Sequence, residues 1–123
     1  MRQGTILVVE DDDGLREAIE SLLDAAGFIT ASFASAEALL SAGCVRGAVC
    51  VVSDIRLPAM SGLELVTKLH LRDSRLPVVL ITAHDSPSVR RDARRRGAAG
   101  YLAKPFAGGA LLAAIEGVVR RTT

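Results

Sequence analysis

The sequence has no tryptophan, one tyrosine and three phenylalanines among 123 residues. Half of it is nevertheless hydrophobic, so any core is built from aliphatic side chains. Two cysteines, Cys44 and Cys50, are too few for a disulfide framework and lack metal-ligand spacing. Cys50 lies inside an apolar run and reads as a small apolar residue, which suits a reducing cytoplasm. Neither sign of charge dominates: 15 basic residues face 14 acidic ones, for a net +1. That balance gives no case for direct binding to nucleic acid or another polyanion. No apolar run approaches the ~20 residues of a membrane span. The opening stretch, MRQGTILVVEDD, turns acidic too soon for a signal peptide. Repeats, low-complexity tracts and linkers are also missing. The length suits a single domain over residues 1–123 with one core.

What is present centres on residues 49–62, VCVVSDIRLPAMSG. Val49, Cys50, Val51 and Val52 form a short apolar run suited to a strand buried on both faces. It stops at Ser53 and Asp54. Pro58 and Gly62 mark a loop, and Ser61 with Glu64 has the spacing of a capping box that opens a helix. Asp54 therefore sits at the carboxyl end of a central strand, the edge where open α/β sheets bind ligands.

The remaining chain repeats the same alternation. Thr5–Val9 is a second apolar run, followed at once by Glu10, Asp11, Asp12 and Asp13. Asp13 can cap a helix whose apolar stripe is Leu15, Ala18, Ile19, Leu22 and Leu23, with Gly27 as its stop. Residues 28–33 are more polar and suit an edge strand. A short helix over 35–42 ends at Gly43. After the central strand come a helix over 61–71 and a fourth strand over 77–81, closed by Thr82, Ala83 and His84. Ser86 and Pro87 start the next helix, with Pro at its first position. Gly97 ends it. Gly100–Ala103 is a fifth strand, closed by Lys104, Pro105 and Phe106. The last helix carries Leu111, Leu112, Ile115, Val118 and Val119 on one face. Five such units predict an α/β fold: a five-stranded parallel sheet in the flavodoxin-like order 2-1-3-4-5, with helices on both sides.

Four of the five strand ends carry groups that an apolar core does not choose: Glu10 with Asp11, Asp54, Thr82 and Lys104. In that strand order the first and third strands are neighbours, so Glu10, Asp11 and Asp54 converge. Three clustered carboxylates repel, and their pKa values rise unless something compensates. A divalent cation is the usual compensation, and all-oxygen donors favour Mg²⁺, with Mn²⁺ as a substitute. The Lys104 ammonium and the Thr82 hydroxyl add donors for a further anion. Together these groups make a phosphoryl-transfer site with Asp54 as the nucleophile.

With VVEDD, SDIRLPAMSG, ITA and YLAKPF in this order and at this spacing, the chain resembles a receiver domain of two-component response regulators over its whole length. The SDIRLPAMSG and AKPF wording is most similar to receivers of the nitrogen-fixation regulator type. The resemblance implies that Glu10 and Asp11 hold Mg²⁺ together with Asp54 and the backbone carbonyl of Arg56. Asp54 becomes the phosphoacceptor, Thr82 the switch hydroxyl and Tyr101 the switch aromatic. Lys104 is the site lysine, followed by a cis bond to Pro105. Arg56 and His84 flank the approach of water to the phosphoryl group and modulate its lifetime. The implied partners are a sensor histidine kinase and, through the fourth helix, fifth strand and fifth helix, a homodimer or an output. Receivers of this type usually precede a LuxR-like DNA-binding domain, and no output domain is present in this sequence. The implied location is the cytoplasm. The domain is not an enzyme in the ordinary sense, since it catalyses only its own phosphorylation and dephosphorylation.

Competing readings fit less well. A flavin-binding module needs a phosphate-cradling loop after strand one, where this chain has four acids. A haloacid-dehalogenase-type phosphatase needs a second Asp two positions after the nucleophile, where this chain has Arg56. A receiver that only binds partners would be expected to have lost Asp54, Asp11 or Lys104. Asp12 and Asp13 read as cap and solvent-facing residues, and Cys44 and His70 carry no signal. The run of five arginines over residues 90–96 is either a solvated face or a partner surface.

Overall fold

A computed structural model describes residues 4–43, 45–73 and 75–122. Five strands alternate with five helices: β1 (Thr5–Val9), α1 (Asp13–Ala25), β2 (Ile29–Phe33), α2 (Ala36–Ala42), β3 (Ala48–Asp54), α3 (Gly62–Arg72), β4 (Val78–Thr82), α4 (Pro87–Arg95), β5 (Gly100–Ala103) and α5 (Gly108–Thr122). All pairings are parallel, and the strand order is β2-β1-β3-β4-β5, as the sequence predicts. The β2 strand lies on an edge and is only partly buried. Cys44 lies outside the described residues, so its reading has no structural counterpart.

The apolar runs sort themselves by parity. In β1, Ile6 and Val8 face one way, with Cys50 and Val52 of β3 and Val79 and Ile81 of β4. This layer is closed by Ile19 and Leu23 of α1 and by Leu111, Ile115 and Val118 of α5. Leu7 and Val9, Val51, and Val78 and Leu80 face the other way, under Leu39, Leu65, Val66, Leu69 and Ala93. A strand buried on both faces shows no alternation in sequence, which is why these segments read as continuous apolar runs.

Helix ends follow local chemistry. Ser61 accepts from the Glu64 N–H while Glu64 reaches back to the Ser61 N–H, a complete capping box. Ser35 and Ser86 cap α2 and α4 more simply, each side chain accepting from the N–H three residues on, Ala38 and Val89, with no return bond. At α1 the cap is Asp12 rather than Asp13: Asp12 Oδ1 accepts from the Leu15 N–H at 2.9 Å. Asp13 instead begins the helix and pairs with Arg16 at 2.6 Å. The one-residue error has a simple cause, since consecutive acids offer the same capping oxygen and only backbone geometry selects between them. Gly27 adopts φ +94° just past α1, a left-handed conformation that glycine reaches without strain.

Candidate functional site

The register of β1 against β3 builds the site. Val9 lies opposite Ser53, so Glu10 and Asp54 leave the sheet side by side. Glu10 is 1% exposed and Asp54 7%, whereas Asp11 is exposed. One carboxylate oxygen from each of the three lies within 4.8 Å of the others.

Lys104 arrives from the end of β5 and completes the cluster. Its Nζ donates to Asp54 Oδ2 at 2.9 Å and to Glu10 Oε1 at 3.1 Å. Asp54 Oδ1 also accepts from the Arg56 N–H at 3.3 Å, and Glu10 Oε2 from the Asp12 N–H at 3.1 Å. Burial pushes the Glu10 carboxyl above its ordinary range, opposed by the Asp12 N–H and the Lys104 ammonium. The charge of Asp54 adds to the rise as a smaller contribution, so desolvation outweighs repulsion here. Burial also works against the Lys104 ammonium, but the hydrogen bonds and charges of Asp54 and Glu10 overcome it and its pKa rises.

Three carboxylates against one ammonium leave an excess of two negative charges, surrounded by oxygen donors alone. That set fits a hard divalent cation such as Mg²⁺ and would not favour zinc.

Thr82 ends β4, one strand over, where the neighbouring Ile81 pairs with Asp54. Its side chain is 1% exposed, and Oγ1 accepts from the His84 N–H at 3.0 Å. Tyr101 lies in β5 and directs its hydroxyl to Asp85 Oδ1 at 2.9 Å. Arg56 and His84 are both exposed beside the cleft. The peptide bond between Lys104 and Pro105 is cis, as expected. The structure thus gathers Glu10, Asp11, Asp54 and Lys104 into direct contact range, with Thr82 on the adjacent strand end and Tyr101 engaged elsewhere.

Three contributors had little or no signal in the sequence. Glu37 of α2 accepts from the Met60 N–H at 2.9 Å and anchors the loop that follows Asp54. That loop holds Ala59 at φ +60°, a left-handed backbone costing an ordinary residue about 1–2 kcal/mol. Gly62 packs so close that a Cβ there would lie 2.2 Å from the Asp54 carbonyl oxygen. Asp85 holds Tyr101 and Arg90 together. Glu37 and Asp85 act across gaps of 23 and 16 residues, beyond the reach of local pattern. Gly62 was readable only as a loop mark.

Comparisons with known proteins agree with this geometry. The response regulator receiver domain family matches residues 6–116. The transcriptional regulatory protein FixJ of Azorhizobium caulinodans is 36% identical over 115 residues, covering 94% of this chain and 54% of FixJ. The C4-dicarboxylate transport transcriptional regulatory protein DctD of Pseudomonas aeruginosa is 42% identical over 114 residues, covering 93% of this chain and 25% of DctD. The crystal structure of full-length FixJ from B. japonicum superposes with a TM-score of 0.88 at 36% identity, over 99% of this chain and 60% of that one. The chain therefore spans about half the length of FixJ and a quarter of DctD. With the fold, the acidic cleft and the family match in agreement, the chain belongs to the response regulator receiver domain family, a phosphoacceptor switch of two-component signalling.

Proposed function

We propose that Asp54 is the phosphoacceptor and that the surrounding side chains carry out its phosphorylation. The observation that supports this is the placement of Asp54, almost buried, within hydrogen-bond reach of Lys104 and within 4.8 Å of two further carboxylates. An Asp54 oxygen attacks phosphorus and forms an O–P bond. The bond from phosphorus to the donor breaks, and its electron pair leaves with the donor, a histidine ring of a sensor kinase or the acyl oxygen of acetyl phosphate. Lys104 keeps its proton throughout and pairs with the oxygens of the transferred group. Glu10, Asp11, Asp54 and the Arg56 carbonyl would hold Mg²⁺ or Mn²⁺. When bound, that ion neutralises developing charge on the phosphoryl oxygens.

The phosphoryl group stays on the chain, so the reaction is a switch rather than a turnover. The Thr82 hydroxyl donates to it, and Tyr101 then moves into the space vacated beside Thr82. Each contact is worth about 1–3 kcal/mol, enough to tilt a two-state equilibrium. The surface of α4, β5 and α5 reports the change to an output, a DNA-binding domain in the longer relatives' manner, or to a second copy. No described helix is long and apolar enough to cross a membrane. We place the domain in the cytoplasm with its kinase.

The test is labelling with acetyl phosphate and Mg²⁺. Asp54 is expected to carry the only label, as a base-labile acyl phosphate. Asp54→Asn and chelation should each abolish it. Full labelling of Asp54→Asn would overturn the assignment.

A further inference from the structure

The loop after Asp54 is tied down by α2, a helix that contributes no group to the acidic cleft. Residues 55–61 join β3 to α3. At their base the Gly62 N–H donates to the Ile55 carbonyl at 2.8 Å. Just inside that closure the Arg56 N–H donates to Asp54 Oδ1 at 3.3 Å, so the placement of residue 56 sets one of the hydrogen bonds on the central carboxylate. Further along, Ala59 stands at φ +60°, a conformation that alanine keeps only where its surroundings impose it. The next residue, Met60, donates its N–H to Glu37 Oε2 at 2.9 Å.

The tie is built into α2. Ser35 caps the helix, and Ala36 and Leu39 are buried, so the rotation of this short helix is fixed. Glu37 then stands half-buried beside the loop. It has no ion-pair partner among the described residues, and its carboxylate is committed to a backbone N–H. An acid in the first turn of a helix also meets the positive end of the helix dipole. That effect explains an acid at position 37 but does not select the Met60 N–H, 23 positions away. Apart from this bond, the hydrogen bonds of residues 55–61 run to β3, to β4 or to their own helix α3.

Building on the reading of Asp54 as the acceptor and the Arg56 carbonyl as a cation ligand, we propose that Glu37 is a positioning residue for this site. It holds residues 56–60 in the arrangement that keeps the Arg56 peptide group beside Asp54. Without the tie, Ala59 returns to ordinary backbone conformations, and the Arg56 peptide group is in place for only a fraction of the time. Apparent affinity for the cation then falls by that fraction, while the reaction at saturating cation is unaffected. The charge of Glu37 is not what acts, because a neutral carbonyl oxygen at the same place accepts the same N–H.

The experiment compares wild type, Glu37→Gln, Glu37→Ala and the double variant Glu37→Ala with Ala59→Gly. Glutamine keeps an acceptor oxygen and removes the charge, whereas alanine removes both. Glycine at 59 reaches the left-handed conformation without strain. The first readout is amide hydrogen exchange in metal-free protein. The Met60 N–H should be protected in wild type and Glu37→Gln. In Glu37→Ala it should exchange faster, by a larger factor than the α5 amides do. The second readout is Mg²⁺ titration followed by amide NMR. Glu37→Ala should bind about tenfold more weakly, Glu37→Gln within about twofold of wild type, and the double variant in between. Labelling by acetyl phosphate should need correspondingly more Mg²⁺ in Glu37→Ala and reach the wild-type rate at saturation. Full affinity in Glu37→Ala, equal losses in the glutamine and alanine variants, a double variant no tighter than Glu37→Ala, or fast Met60 exchange in wild type would each overturn the proposal. Wild type that binds no Mg²⁺ and takes no label would instead strike the reading of Asp54, and the exchange rates would still decide whether Glu37 orders the loop.

Discussion

Tyr101 donates its hydroxyl hydrogen to Asp85 Oδ1 at 2.9 Å, and the Arg90 guanidinium closes over the pair, 5.4 Å from the ring centroid. Asp85 is held below the usual carboxylate range by its hydrogen bond from Arg90 and then by that from Tyr101. The Tyr101 phenol is raised by burial first and then by Asp85. The stabilisation from Asp85 is present above its ordinary value of 3.8 and is lost as pH falls through the lowered one. That from the neutral phenol is present below 10.0 and is lost as pH rises through the raised value. Because the chain has one tyrosine and no tryptophan, ultraviolet titration reads this phenol alone. Wild type should ionise above 10.0, and Asp85→Ala should ionise at lower pH than wild type. Identical titration curves would show that Asp85 does not hold the ring.

Lys104→Ala should cost less stability with cation than without it. Removing the ammonium strips a hydrogen bond from each of two nearly buried carboxylates, at a cost of about 1–3 kcal/mol in chelator. Adding Mg²⁺ should recover part of that loss, because the cation meets an unopposed acidic cluster. Urea unfolding with and without Mg²⁺ measures both quantities, and labelling of Asp54 by acetyl phosphate should fall in the same variant.

Gly62→Ala tests how closely α3 supports the acceptor. The added methyl group would meet the backbone oxygen of Asp54, and the Gly62 N–H already donates to the Ile55 carbonyl at 2.8 Å. Neither partner is a flexible side chain that can step aside. Overpacking of this kind costs about 1–3 kcal/mol. The midpoint of thermal unfolding should fall, and the rate of Asp54 labelling should fall with it. Gly109→Ala, which adds a methyl group with nothing within 4 Å, is the control.

Phosphoryl lifetime should depend on two exposed neighbours of the cleft. Neither Arg56 nor His84 carries a carboxylate or carboxamide able to position an attacking water, so slow hydrolysis is expected. His84→Glu should speed decay of phospho-Asp54 by about tenfold, equivalent to about 1.4 kcal/mol of barrier. Arg56→Asn should act in the same direction. Equal or slower decay in both variants would remove these residues from any guarding role.

The sequence reveals what is repeated and local more readily than what is distant. The β1, β3 and β4 runs were legible because burial on both sheet faces leaves no polar positions to confuse them. Glu10, Asp11 and Asp54 were legible because they close two such runs, and Lys104 because it follows the short, half-buried β5. Boundaries moved by about one residue where neighbours compete for one role, as Asp12 and Asp13 do at the α1 cap. Asp85 was not legible as a partner of Tyr101. Nothing in its own neighbourhood distinguishes it from a surface acid, and its role exists only once β5 lies beside α4. Glu37 is similar: its hydrogen bond from the Met60 N–H links α2 to the loop after β3, which the chain brings together only in the folded state.

The contact between Glu10 and Lys104 joins residues 94 positions apart. During synthesis, the two acids after β1 and Asp54 on β3 emerge well before the ammonium that balances them. A nascent chain halted before Lys104 has the acidic cluster but lacks the positive group that hydrogen-bonds to Glu10 and Asp54. The charge balance of this end of the sheet is therefore settled only when β5, the fifth and last strand to be made, takes its place beside β4.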